Sequence, residues 1–91
     1  MGDVRDRIAA KLTKAFAPSQ LDVTDESASH AGHAGAREGG ESHFHVLIVA
    51  EAFTGKSRLD RQRAVNAALA EELAGPVHAL RMTVRAPSED S

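Results

Sequence analysis

The run His43-Phe44-His45-Val46-Leu47-Ile48-Val49-Ala50 constrains this chain more than any other segment. In an extended backbone successive side chains point to opposite faces. Phe44, Val46 and Ile48 therefore share one face, and Leu47 and Val49 share the other. Apolar residues on both faces belong to a central strand with neighbours on each side. Leu21 and Val23, alternating with Asp22 and Thr24, read as a short half-buried strand ending at Asp25-Glu26. Val77 to Arg85 reads as the third strand, with His78, Leu80, Met82 and Val84 on one face and Ala79, Arg81, Thr83 and Arg85 on the other.

Two helical stretches supply the cover. Val4, Ile8, Leu12 and Phe16 recur every four residues, filled in by Ala9 and Ala15. Asp3 is placed to cap that helix, and Pro18 stops it. Its opposite face, Arg7, Lys11 and Lys14, reads as solvated. The turn Glu51 to Lys56 has room for an extra helical turn. Ser57 then caps a long helix with Asp60 at the capping-box position. Val65, Ala68, Leu69 and Leu73 form its stripe, and Gly75-Pro76 ends it. The order is α-β-β-α-(α)-β. Strands one and two should pair antiparallel; strands two and three, joined through a helix, should be parallel with a right-handed crossover. The expectation is an α+β domain, a three-stranded mixed sheet with helices on one face. It spans residues 1–87, with a long His- and Gly-rich loop at 27–42 and a disordered tail at 88–91.

Composition sharpens the chemistry. There are 91 residues with no cysteine and five histidines. That excludes a disulfide scaffold, a catalytic thiol and any Cys-ligated metal site built from this chain alone. Imidazole is left as the strong soft-metal ligand. The net charge of −2 gives no global drive toward nucleic acid or an anionic membrane. No apolar run is long enough to cross a membrane, and nothing reads as a signal peptide, so a soluble cytoplasmic protein is expected. Catalysis has no nucleophile, phosphate loop or paired carboxylates to stand on; at most a histidine with Asp25 or Glu26 could form a base–orienter pair. An enzyme is not expected.

Topology gathers the histidines. The loop leaves strand one and enters strand two at the sheet edge where a parallel third strand begins. His78 should therefore lie beside the root of the loop that carries His30 and His33. Each has an ordinary reading as well. His43 and His45 alternate with core residues and suit a solvated face. His78, on the face of Leu80 and Met82, suits a partly buried, hydrogen-bonded group. His30-Ala31-Gly32-His33 suits loop polarity. Taken as ligands, two or three imidazoles still fall short of the four that a structural zinc or a [2Fe–2S] cluster takes. The remainder would come from another molecule.

The segments Glu41-Ser42-His43-Phe44, Phe53-Thr54-Gly55-Lys56-Ser57-Arg58, Arg61-Gln62-Arg63 and Leu69-Ala70-Glu71-Glu72-Leu73-Ala74-Gly75-Pro76-Val77-His78-Ala79-Leu80 resemble the BolA family, over about residues 4–87. The resemblance implies an α-β-β-α-α-β fold like the class II KH domain. It also implies partnership with CGFS-type monothiol glutaredoxins. In such complexes a [2Fe–2S] cluster is shared between the glutaredoxin cysteine, glutathione and one or two ligands of the BolA-like chain. None is expected in the isolated chain. His78 matches the family's C-terminal ligand, and His30 best matches the loop ligand, with His33 as the alternative. The chain departs from the family in a longer loop and in Gln62, where members commonly carry His. The implied role is cluster trafficking or iron-status regulation.

The alternative is a DNA-binding transcriptional regulator of the stress-response kind, using Lys56, Arg58, Arg61 and Arg63 around a helix start that could seat a phosphate. Against it, Gly55-Lys56-Ser57-Arg58 lacks the second glycine of a KH Gly-x-x-Gly grip, and no aromatic platform stacks bases.

Overall fold

The central strand organises the computed structural model, which describes residues 3–26 and 43–89. β2 (His43–Val49) lies between β1 (Gln20–Asp25) and β3 (Ala79–Arg85). β1 pairs antiparallel with β2, from Gln20 opposite Val49 to Asp25 opposite Phe44. β3 pairs parallel, from His43 beside Ala79 to Val49 beside Arg85. Order and directions follow the sequence expectation.

One face of this sheet is covered. Phe44, Val46 and Ile48 are buried there with Val23 of β1, and Leu80, Met82 and Val84 of β3 pack at the margin. α1 (Asp3–Phe16) brings Ile8 and Leu12, and α2 (Arg58–Ala68) brings Val65. The other face carries His43, His45 and Leu47, each half-buried. Aliphatics build most of the core, as a chain with three phenylalanines requires. Those aromatics sit at its ends: Phe53, fully buried in the short 3-10 turn Glu51–Phe53, meets Phe16 with ring centroids 4.8 Å apart. Such tilted ring pairs add to the burial term and fix the end of α1 to the turn after β2.

Local chemistry sets the boundaries, with several corrections. α1 is already helical at Asp3, so Asp3 is a first-turn acid favoured by the helix dipole rather than the cap. Ala9 joins the apolar stripe but Ala15 is exposed, because four-residue spacing drifts around a helix of 3.6 residues per turn. Ala17 ends the helix at φ 46°, the left-handed conformation usually given to glycine, with its N–H donating to Thr13 O at 2.9 Å. Ser57 caps α2 as expected, accepting from the Asp60 N–H at 3.1 Å, and Gly55 before it takes φ 79°.

The expected long helix is two. It bends at Leu69 (φ −108°, ψ 21°), and α3 (Ala70–Ala74) follows. Hydrogen bonds run through the bend, from Leu69 N–H to Val65 O and from Leu73 N–H to Leu69 O, so the axis turns without a gap. β3 starts at Ala79, leaving Val77 and His78 outside the strand. The expected tail is also structured as far as a 3-10 turn, Pro87–Glu89: Ala86 is buried and Glu89 is held by Arg61.

A candidate shared metal site at the loop edge of the sheet

At one edge of the sheet three chain segments converge. β1 ends at Asp25, and the next N–H, of Glu26, donates to His43 O at 2.7 Å. β2 starts at His43, and His43 pairs with Ala79, the first residue of β3. His78 immediately precedes Ala79. Glu26 and His43, the residues that flank the segment 27–42, thus lie at the edge where His78 lies, as the topology predicted. His30 and His33 fall outside the described residues.

His78 is exposed rather than partly buried. The apolar rows of β3 do not extend to it, because the backbone bends before the strand begins. It is nonetheless held from behind. Val77 is buried, and its N–H donates to Glu72 O at 2.9 Å. Glu72 itself is fully buried, although a carboxylate on a helix normally faces water. Arg7 Nη2 reaches its Oε2 at 2.9 Å, and Lys11 Nζ lies 2.8 Å from Oε2 and 3.0 Å from Oε1. Lys11 also donates to Glu71 at 2.6 Å. Burial pushes the Glu72 carboxyl up. The Lys11 hydrogen bond and the Lys11 and Arg7 charges pull it further the other way, so it stays below the ordinary carboxylate value. Arg7 and Lys11 are therefore a clamp on α3, which corrects the reading of that helix face as merely solvated. The clamp fixes the backbone that delivers His78.

A second latch crosses the other face of the sheet. Arg81 donates to both carboxylate oxygens of Glu26, at 2.6 and 3.2 Å, tying β3 to the end of β1. Glu26 is thereby engaged by the Arg81 guanidinium. His45 Nε2 lies 3.1 Å from Thr83 Oγ1, a cross-strand partner that gives it a structural place on the half-buried face. Among the described residues no three His, Asp or Glu side chains are grouped to hold a metal. The described residues present His78, without a closed site around it.

The basic set divides. Lys56, Arg58 and Arg63 are exposed at the start of α2. Arg61 is not available in the same way: its side chain is only 12% exposed. Its guanidinium donates to Lys56 O, to Val84 O and to both carboxylate oxygens of Glu89, the last at 2.6 and 2.9 Å. That fork, helped by the Ala86 N–H, holds the Glu89 carboxyl down at about 2.

This architecture has clear counterparts. The family model for BolA-like protein matches residues 12–89. The chain belongs to the BolA-like family. BolA-like protein 1 of Homo sapiens is 45% identical over 89 residues, covering 98% of this chain and 62% of that protein. The DNA-binding transcriptional regulator BolA of Escherichia coli is 47% identical over 79 residues, 87% of this chain and 71% of that one. The BolA domain of SufE1 from Arabidopsis thaliana superposes with a TM-score of 0.85 at 40% identity, covering 98% of both chains. This chain spans about six-tenths of the length of its mammalian BolA-like relatives.

Proposed function

We propose that this BolA-like chain is a non-catalytic adaptor that binds a monothiol glutaredoxin and contributes imidazole to a shared [2Fe–2S] cluster, in cluster trafficking or iron-status regulation. The observation that carries the reading is His78: exposed, backed by the clamped Glu72, and set beside Glu26 and His43, which flank the segment bearing His30 and His33. The donor set fits a shared site and not a self-contained one. The chain has no cysteine, and the described residues hold no group of three side chains that could ligate a metal. His78 would supply one ligand, His30 or His33 a second, and a partner's cysteine with glutathione the thiolates. Imidazole ligation raises a cluster's potential and makes it acid-labile, since the ring must be neutral to bind.

Anaerobic co-purification with a monothiol glutaredoxin, with iron and sulfide measured, tests the partnership. His78→Ala should abolish the histidine-dependent visible circular dichroism of the mixed complex, and an unchanged spectrum would sink the assignment. Between His30→Ala and His33→Ala, only the ligand's removal should shorten cluster lifetime.

A second reading, DNA binding, draws on the name of the Escherichia coli relative and on exposed Lys56, Arg58 and Arg63. The engagement of Arg61 by Glu89 weighs against it. Sequence-specific binding that survives a salt series and weakens in Arg58→Ala would favour it.

A further inference from the structure

The far end of β3 carries a feature that cluster binding does not use. β3 is an edge strand, with no strand outside it among the described residues. Beside it runs an open groove of about 450 Å³, walled by Lys56, Arg58, Arg61 and Arg85 and floored by Met82 and Val84. Arg85 turns its carbonyl inward, accepting from Ala50 N–H at 3.0 Å. Backbone groups alternate sides along a strand, so those of Met82 and Val84 face the groove. The Arg61 contact to Val84 O, at 3.4 Å, shows that direction directly. Outward-facing backbone groups on an edge strand are a template for another extended chain.

Charge selects the occupant. Among the described residues four cations line the groove against one carboxylate, Glu89, which is seated on Arg61. A second copy of this chain would bring cations against cations. Nucleic acid offers no backbone amides to pair with a strand. We propose that this groove docks an extended acidic segment of a partner protein, added to β3 as an outer strand, and that Glu89 is the internal carboxylate it displaces. The groove begins at Met82, four residues and about 13 Å from His78 at ~3.3 Å per residue, and runs away from it to Arg85, so the proposal stands apart from the metal reading.

Fluorescence anisotropy with a labelled peptide alternating glutamate and threonine tests it on the intact chain. The peptide should bind, and Arg85→Ala or Arg58→Ala should weaken it about tenfold, the loss of one charge-assisted contact. Glu89→Gln should tighten binding severalfold, with its fold checked by amide spectra. N-methylation of alternate peptide amides should abolish binding, and shifted amide resonances should cluster at Met82 to Arg85. Equal binding of a lysine–threonine peptide, indifference to N-methylation, binding unchanged or weakened in Glu89→Gln, or binding of a labelled duplex but not the peptide each overturns the proposal.

Discussion

Glu72 shows how one residue can fix the position of another it never touches. Its side chain is clamped by Arg7 and Lys11 and its carbonyl holds Val77, one residue before His78. Lys11→Met keeps the apolar stem but leaves the buried carboxylate with Arg7 alone. Losing a hydrogen bond to a buried charge should lower the midpoint of urea unfolding relative to the parent chain. The same variant should broaden the His78 amide resonance, a readout that a remote loss of stability would not produce. Sequence reading missed Glu72 because an acidic residue on a helix is assigned to solvent by default. A signal was nonetheless present: residue 72 continues the stripe of Val65 and Leu69 at i, i+4 and i+7. Its cationic partners lie about sixty residues away in the chain, beyond the reach of any local pattern.

Among the elements, those with internal periodicity were the most legible. α1, β2 and the capped start of α2 follow from apolar spacing and from Ser57 alone. The bend at Leu69 was not legible, since the apolar stripe and the helix-forming residues run through it unbroken. Tertiary demand decides there: Leu69 fills the core while Glu72 reaches the α1 cations. The 3-10 turn Glu51–Phe53 is the element on which the aromatic pair depends. Phe53→Ala should remove about 3–5 kcal/mol, measured by chemical denaturation, through lost burial and an unfilled cavity against Phe16. That is a large share of the stability of a small domain.

For the molecule as a whole, fold class, strand order and pairing were readable from the doubly apolar β2 and the helical crossover. The gathering of His78 at the loop edge followed from that topology rather than from any motif. The long-range ion pairs were not readable, and they govern the pH response. Glu72 and Glu89 both titrate lower in the fold than the ordinary carboxylate value of 4.5. A depressed carboxylate stabilises the fold above its unfolded value and loses that contribution as acid is added. Stability should therefore be flat above about pH 5 and decline below it, with the Glu89 contribution fading down to about pH 2. Thermal melts across that range test this; in Glu89→Gln the lower part of the decline should flatten.

The parallel pairing of β2 with β3 also sets an order of events. The antiparallel pair spans less of the sequence than the parallel one, which also has to pack its intervening helices, so the antiparallel pair is expected to close first. His78 sits at the seam that this last closure makes. In a nascent or partly unfolded chain His78 therefore lies apart from the end of β1 and the start of β2, and the shared site proposed above would be assembled only with completion of the fold.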